Sequence, residues 1–280
     1  MPAEAPPAVL VLTSRASPPA RLRSAMAQAT SIADASRVRV VDGATPSDGI
    51  VAELHDAKAA RRWSKRPPIP AEVAAYATHR MAWRALLDGG GAWALVLEDD
   101  FVVLDEAALR AVIAAAGELL SAGRDIVKLF DLPGERERGR TIARTVAGIG
   151  IVKREHVRAG LVGYLISRDG AARFLSRRHV FRVVDEDIKY HWELGLDIWS
   201  VTENLVADGS ADLGGSLIDE ARKASRRRSL RRSIKGNLLA AHRDWHARRG
   251  FDAWLRAEAR RGLRWPETPV GDDTRSLRPS

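Results

Sequence analysis

Cysteine is absent from this 280-residue chain. Its absence excludes disulfide frameworks, thiolate metal sites and cysteine nucleophiles, and it fits a reducing compartment. Any metal bound by this protein would therefore have oxygen or imidazole ligands. The hydrophobic fraction of 45% is that of an ordinary globular protein, so the chain can bury a sizeable core.

Long apolar runs are also missing. No segment reaches the roughly 18 consecutive apolar residues of a transmembrane helix. The first residues, MPAEAPPAVLVLT, lack a basic segment ahead of their short apolar stretch, which is unlike a signal peptide. We therefore expect neither a membrane span nor a signal peptide, and we expect a cytoplasmic protein.

Acidic residues are absent from residues 222–235, which contain eight basic residues. The net charge of the whole chain is +9, so its basicity belongs almost entirely to this segment. This distribution argues against a nucleic-acid-binding surface spread over the fold. It favours an Arg-rich helical tail, residues 220–280, that meets phosphates or anionic lipid headgroups.

Apolar and aromatic residues accompany the basic ones in the tail, namely Leu238, Leu239, Trp245, Phe251, Trp254 and Leu255. Helices that present both kinds of residue bind membrane surfaces, and we predict such an element over residues 222–262, on the inner face of the membrane. The alternative is a helix that packs on the domain with its arginines in solvent.

Several sequence motifs that would define an active site are missing as well. No G-x-x-x-x-G-K-[ST] motif occurs, which excludes a P-loop ATPase. The glycines at 89–91 precede a predicted strand instead of opening a helix, which is the wrong order for dinucleotide binding. No G-x-S-x-G nucleophile elbow is present either.

The elements that are present alternate between strand and helix in the first half of the chain. Strands are predicted at 8–13, 37–42, 93–97, 125–130 and 161–167, and helices at 19–33, 53–62, 70–87, 106–122 and 169–176. A mostly parallel Rossmann-type sheet flanked by helices follows from this order. Residues 134–144 are predicted to be a charged, mobile loop.

Three consecutive acids, Glu98, Asp99 and Asp100, follow a buried strand in the segment ALVLEDDFVVL. In open α/β sheets the carboxyl ends of the strands border the ligand crevice. Strand alternation directs Glu98 and Asp100 to one side, where they could share a cation such as Mg²⁺ or Mn²⁺ with substrate phosphates. The alternative is a solvated turn at a strand end.

Two further groups of residues are candidates for the same site. Glu72, Tyr76, His79 and Trp83 share one face of the helix that begins at Pro70, either as the wall of a site or as a half-buried face with a hydrogen-bonded histidine. The acids Asp185, Glu186 and Asp187 form a second cluster, which either begins a helix or contributes to a shared cation site.

The segment IPAEVAAYATHRMAWRALLDGGGAWALVLEDDFVVL resembles the signature of the family 25 glycosyltransferases. This family includes bacterial lipo-oligosaccharide galactosyltransferases and collagen galactosyltransferases. Later blocks resemble the family in the same order, namely DIVKLF at 125–130, GYLISRDGA at 163–171, VVDEDI at 183–188 and, more weakly, VVDG at 40–43 and Ser216-Leu217-Ile218. The resemblance covers residues 8–218. Ala71, Ala75 and Thr78 depart from the usual Gly, Cys and Ser.

The resemblance implies a GT-A nucleotide-sugar transferase domain over residues 1–219. It implies an inverting, Mn²⁺- or Mg²⁺-dependent transfer of a sugar, galactose above all, from a UDP-sugar to a saccharide or glycolipid such as lipopolysaccharide. Asp100 and Glu98 would hold the metal, Asp185 would be the catalytic base, Asp187 would contact metal or acceptor, and His79 would assist. The reverse division of roles between the two acidic clusters stays open.

Donor binding under this interpretation falls on residues near the first three strands. They are Thr13, Ser14, Arg15, Arg21, Asp42, Glu72, His79, Trp83, Glu98 and Asp99. Two rival functions stay open, namely a non-enzymatic cation-binding module that docks on membrane or RNA through its tail, and a metal-dependent phosphotransferase or phosphohydrolase. The donor sugar, the acceptor and the linkage depend on loops such as 134–144.

Overall fold

The computed structural model describes residues 8–135, 138–211, 230–263 and 268–269. Their strands are β1 (Ala8–Ser14), β2 (Val38–Gly43), β3 (Trp93–Glu98), β4 (Phe101–Val103), β5 (Ile126–Lys128), β6 (Arg140–Val146), β7 (Ile149–Arg154), β8 (Gly163–Ser167), β9 (Ile198–Val201), β10 (Val206–Asp208) and β11 (Thr268–Pro269). The helices are α1 (Pro19–Ile32), α2 (Gly49–Leu54), α3 (Ala57–Trp63), α4 (Pro70–Asp88), α5 (Glu106–Ala114), α6 (Ala116–Leu119), α7 (Arg168–Ser176), α8 (Val184–Asp187) and α9 (Leu230–Arg260), with 3₁₀ turns at Ala35–Arg37 and Ile188–Glu193.

Nine of these strands form one twisted sheet in the order β11, β6, β7, β9, β5, β8, β3, β1, β2. β1 pairs in parallel with β2 and with β3, so the carboxyl ends of these three strands meet at one edge. β8 lies antiparallel between β3 and β5, and β4 with β10 forms a separate antiparallel pair. The predicted α/β class is confirmed, and the sheet is mixed, with six of its nine strands in one direction.

Two apolar layers cover the two faces of the sheet, and successive side chains of β1 belong to one layer and then to the other. Leu10 and Leu12 face α2, α4 and α7, whereas Val9 and Val11 face α1, α5 and α6. Both faces of β1 are buried, as expected for a parallel strand between helical layers. Within the first layer, Trp83 stacks on Phe174 with ring centroids 4.3 Å apart.

The prediction of a loop over 134–144 was wrong at its carboxyl end, because β6 begins at Arg140. β6 pairs antiparallel with β7 from Thr141 with Arg154 to Val146 with Ile149. The connection is the two-residue turn Ala147–Gly148, in which both residues have positive φ, as a type I′ hairpin turn requires. Only Ile142 of β6 is buried, so the segment lacks the apolar alternation that would have indicated a strand in the sequence.

Two predicted helices are each divided in the structure. The helix predicted at 53–62 is α2 followed by α3, because Asp56 accepts a hydrogen bond from the Ala59 backbone N–H and caps a new helix there. The helix predicted at 106–122 ends at Ala114 and continues only as the short α6. These breaks leave the residues of the acidic strand end unaffected.

The helical character predicted for the tail, residues 220–280, is confirmed over Leu230–Arg260 by the 31-residue helix α9, whereas Thr268–Pro269 forms β11 at the edge of the sheet. Ala247 and Phe251 are buried against the sheet domain, and buried Glu258 lies 3.4 Å from Arg144. The alternative of a packed helix therefore holds for this half of α9. Residues 222–229, with most of the basic cluster, and Ser216-Leu217-Ile218 lie outside the described residues, as does the predicted boundary at 219. None of the described helices is long and apolar enough to cross a bilayer.

Candidate active site

A cleft of about 430 Å³ opens at the carboxyl ends of β1 and β3, between α1, α4 and α8. The two acidic clusters meet there, since Glu98, Asp99, Asp100 and Asp185 all line the cleft. The other predicted site residues in its wall are Thr13, Ser14, Arg21, Glu72 and His79. The position agrees with the rule that ligands bind beyond the carboxyl ends of strands in open α/β sheets.

Asp99 is fixed by residues of β1 and α1. The Thr13 hydroxyl donates a hydrogen bond of 2.6 Å to its Oδ2. Buried Arg21 places Nη1 3.9 Å from Oδ1 of Asp99 and 3.5 Å from Oδ2 of Asp100. Asp99 is therefore a structural bridge between the first strand and the cleft. The prediction that strand alternation sends Asp99 to the other side was wrong, because β3 ends at Glu98 and Asp99 lines the same cleft as its two neighbours.

Glu98 and Asp100 lie in a field of other carboxylates. Burial, together with Asp185, Asp208 and Asp99, raises the pKa of Glu98 to about 8. Burial and the charges of Glu98, Asp208 and Asp99 raise the pKa of Asp100 to about 7, although Arg21 opposes the shift. Like charges this close repel, and a cation or a proton relieves the repulsion.

A chain of hydrogen bonds leads from the core to Glu98. The indole N–H of Trp83 donates to the Tyr164 hydroxyl at 2.9 Å, and this hydroxyl lies 2.9 Å from Nδ1 of His79. Because an indole can only donate, the Tyr164 proton is free to point to Nδ1, and the neutral histidine then carries its proton on Nε2. Nε2 lies 3.2 Å from Oε1 of Glu98 and donates to it.

His79 is neutral at physiological pH because burial lowers its pKa to about 4, although Asp185 opposes the shift. Its role in the structure is to orient Glu98. Trp83, predicted to bind the donor, is fully buried and does not line the cleft. Trp83 donates a hydrogen bond to Tyr164, which contacts His79, so Trp83 affects the wall of the cleft only indirectly.

Asp185 and Asp187 have different positions although they share one turn of α8. Asp185 faces the cleft, and its Oδ1 is buried without a hydrogen-bond partner among the described residues. Asp187 is buried away from the cleft, where the Tyr76 hydroxyl donates to it at 2.7 Å. Arg177 and Arg182 lie 3.0 and 3.1 Å from its two oxygens. The structure therefore places Asp187 in a buried ion-pair network instead of at a metal or an acceptor.

Three other predicted donor-binding residues are only at the margin of the cleft. Glu72 lines it, but its Oε2 accepts from the Ile69 backbone N–H at 2.8 Å and its Oε1 pairs with Arg66 at 2.8 Å. Arg15 and Asp42 line an adjoining groove of about 730 Å³. Glu72 thus caps the amino end of α4, and both oxygens of its carboxylate already have partners within the protein.

The residues present fit a divalent cation that is completed by its substrate. Within the described ranges, no group of three or more carboxylates and imidazoles forms a ready metal site. Magnesium and manganese, however, are usually held through one or two carboxylates together with substrate phosphates. Oδ1 of Asp100 is buried and has no hydrogen-bond partner in the described part of the chain. Together with Glu98 it supplies two hard oxygen ligands in a repulsive acidic field.

Sequence reasoning missed three residues of this site. Tyr164 was hidden because β8 enters the sheet antiparallel beside β3, which brings Tyr164 opposite Val96. Asp208 ends a three-residue strand too short to be recognised, and the Gly209 N–H that follows bonds to the Asp100 backbone oxygen at 2.8 Å. Thr78 accepts from the Ala44 N–H at 3.2 Å and ties α4 to the end of β2, a role that its hydroxyl could have indicated.

Gly43 explains how closely these elements approach. A Cβ atom at Gly43 would collide with the Thr78 side chain and lie 2.6 Å from the Thr13 backbone oxygen. Only glycine permits this contact between β2, β1 and α4, in the wall of the groove that adjoins the cleft.

The sequence matches no protein-family model. Comparison with curated proteins likewise finds no match. The case for a function therefore rests on the residues themselves and on the geometry of the cleft.

Proposed function

We propose that this protein is a metal-dependent, inverting glycosyltransferase of the GT-A type that moves a sugar, galactose above all, from a UDP-sugar to a saccharide acceptor such as lipopolysaccharide. One observation carries the proposal. Glu98 and Asp100 of one acidic cluster meet Asp185, which is distant from them in sequence, in one cleft at the carboxyl ends of parallel strands. The resemblance to the family 25 signature supports it, since the same residues carry that resemblance.

Glu98 and Asp100 would hold the cation in this proposal. A divalent cation bound there would offset the charge that develops on the departing UDP. Arg21 and Thr13 keep the strand end in place through Asp99. The hydrogen bond from His79 orients the Glu98 carboxylate. These contacts fix the ligands before substrate binds, which lowers the cost of assembling the site.

Asp185 is the proposed catalytic base. Inversion in a single displacement requires a carboxylate that accepts the proton of the acceptor hydroxyl as the new bond forms. Asp185 faces the same cleft as the proposed metal ligands but comes from α8, on the other wall. Its Oδ1, which has no hydrogen-bond partner among the residues that the structure describes, can accept that proton.

Location at a membrane surface fits a glycolipid acceptor. Exposed Ile234, Leu238 and Trp245 lie on one face of α9. We propose that the enzyme acts in the cytoplasm and attaches peripherally to the inner face of the membrane through this helix and the preceding basic residues.

The decisive experiment is a screen of UDP-sugars for UDP release, with and without Mn²⁺ and with and without a lipopolysaccharide acceptor. A glycosyltransferase should release UDP from one donor only when metal is present, and acceptor should accelerate the release. A phosphohydrolase would instead hydrolyse the diphosphate bond of any UDP-sugar to UMP and a sugar 1-phosphate, without regard to the sugar. A binding module would release neither product.

A further inference from the structure

A second, smaller cavity of about 140 Å³ lies beside α9 and shares no lining residue with the cleft. The loop after β5, the end of β7, the 3₁₀ turn after α8 and α9 enclose it. Its wall contains five cationic side chains, a histidine and two carboxylates, namely Arg138, Arg154, Arg158, Lys189, Arg243, His156, Glu135 and Asp244.

Most of these cations already have carboxylate partners. Lys189 lies 2.6 Å from Glu135, Arg243 lies 3.1 Å from Glu186, and Arg154 lies 3.1 Å from Asp131. These pairs occupy three of the five cationic side chains.

Arg138 and Arg158 are the exceptions in the wall of the cavity. Neither forms an ion pair with a described carboxylate, and Arg158 donates through Nη2 only to the Glu135 backbone oxygen. Nε of Arg158 is buried and has no hydrogen-bond partner among the described residues. A buried charged donor without an acceptor is costly, and an oxyanion removes that cost by accepting charge-assisted hydrogen bonds.

We propose that this cavity is a binding site for a single phosphoryl group, recognised by Arg158 and Arg138 with Arg243 and Lys189 in its wall. The volume holds one tetrahedral oxyanion and leaves any ester substituent outside. This site is independent of the glycosyltransferase proposal, because no residue of it lines the catalytic cleft.

Asp244 gives the site a preference among oxyanions. Its Oδ1 is buried without a hydrogen-bond partner in the described part of the chain, and it lies 3.7 Å from Nδ1 of His156. A protonated phosphate can donate its P–OH to this carboxylate, whereas sulfate has no proton to donate. The site should therefore favour phosphate over sulfate.

Phosphate bound here would also strengthen the contact between α9 and the sheet domain. Arg243, Asp244 and Ala247 of α9 form one wall, while Arg154 and Arg158 belong to the segment at the end of β7. A ligand that contacts both segments binds the folded state and stabilises it by mass action.

The test is calorimetric titration of the full-length protein with inorganic phosphate, with glycerol 3-phosphate and with sulfate. We expect phosphate to bind at one site more tightly than sulfate. Arg158→Gln should lower phosphate affinity by about tenfold or more, which is the loss of one charge-assisted hydrogen bond. Arg138→Gln, at the exposed rim, should lower it without risk to the fold. Arg256→Gln removes an exposed arginine elsewhere on α9 and should leave it unchanged.

The source of the phosphoryl group follows from the glycerol 3-phosphate titration. Binding as tight as that of inorganic phosphate identifies a site for phosphate esters, whereas binding of inorganic phosphate alone identifies a site for the free ion. Asp100→Asn should bind phosphate as the unaltered protein does, which separates this site from the catalytic cleft. No phosphate binding, or equal affinity in the Arg138 and Arg158 variants and the Arg256 control, overturns the proposal.

Discussion

Nε2 of His79 lies 3.2 Å from Oε1 of Glu98, and Tyr164 determines the direction of this hydrogen bond from the other side of the ring. Because Nδ1 accepts from Tyr164, the imidazole presents a donor to the carboxylate. Groups that orient metal ligands in this way typically account for 10- to 100-fold of metal affinity or activity. His79 and Tyr164 are therefore positioning residues for a proposed metal ligand.

Replacing Tyr164 should weaken metal binding without removing a ligand. We expect Tyr164→Phe to lower Mn²⁺ affinity by about 10- to 100-fold, because Nδ1 loses its donor and the histidine tautomer is no longer fixed. His79→Gln should retain more affinity than His79→Ala, since an amide N–H can replace the Nε2 donor. The measurement is Mn²⁺ titration in the presence of UDP. Equal affinity in His79→Gln and His79→Ala would show that the hydrogen bond has no positioning role.

Asp100 should be required for metal-dependent nucleotide binding. Asp100→Asn keeps the size of the side chain and removes the charge that faces the cleft beside Arg21. We expect UDP affinity to lose its dependence on Mn²⁺, as calorimetry with and without the metal would show. Glu118→Gln, which removes an exposed charge on α6, is the matched control. Unchanged Mn²⁺-dependent UDP affinity in Asp100→Asn would remove Asp100 from the metal site.

Substitutions of the neighbouring acids Asp185 and Asp187 should have different effects. Asp185→Asn should lower the rate of the chemical step by about 10²- to 10⁴-fold, as expected for loss of a general base, with donor affinity nearly unchanged. Asp187→Asn removes the buried carboxylate that Arg177 and Arg182 share, leaves them paired with Glu193, and should destabilise the fold by about 2 kcal/mol. Single-turnover kinetics and urea unfolding separate the two effects. Collapse of donor binding in Asp185→Asn would instead make Asp185 a ligand of metal or donor.

Without metal, the stability of the protein should fall as the pH rises from about 6.5 to about 8. The pKa of Glu98 is raised from 4.5 to about 8, so the folded state holds a proton there that the unfolded state has already lost. Stability decreases with pH wherever the folded state binds more protons. His79 and His191, whose pKa values burial lowers to about 4, act in the opposite direction, but mainly below their ordinary value of 6.5.

Thermal unfolding in a chelating buffer at the two pH values measures this dependence. Glu98→Gln cannot ionise, so the decrease in melting temperature should be smaller in this variant than in the unaltered protein, while the exposed control Glu118→Gln should behave as the unaltered protein. A pH dependence in Glu98→Gln equal to that of the unaltered protein would show that Glu98 is already ionised at pH 6.5.

The location of the site could be predicted from local sequence, but the different roles of its residues could not. An apolar strand that ends in Glu98-Asp99-Asp100 is recognisable because strands bury continuous apolar runs and their carboxyl ends border clefts. Asp185 and Asp187 look equivalent in sequence. Asp187 is buried because packing brings Arg177, Arg182 and Tyr76 to its carboxylate, whereas Asp185 stays in the cleft. Tyr164 could not be predicted as a site residue, because the antiparallel pairing of β8 with β3, which places it there, is not evident in the sequence.

Attachment to a membrane should depend on the exposed apolar face of α9. Ile234, Leu238 and Trp245 are 64%, 67% and 54% exposed, and their spacing places them on one face, whereas Ala247 and Phe251 anchor the helix to the domain with another face. The sequence from 222 to 235 supplies eight basic residues, each worth about 1 kcal/mol near an anionic leaflet. Apolar insertion and electrostatic attraction would therefore act together.

Replacing Ile234, Leu238 and Trp245 by serine should abolish co-sedimentation with anionic vesicles at low salt. The matched control is the triple serine variant of Val40, Leu104 and Leu132, which are also exposed apolar residues but lie outside α9. High salt should release the unaltered protein from the vesicles, because screening shortens the range of the attraction, and neutral vesicles should bind it weakly. Should the unaltered protein stay in the supernatant with anionic vesicles, or should both triple variants sediment like it, the face of α9 does not bind membranes, and the helix serves only to pack against the sheet domain.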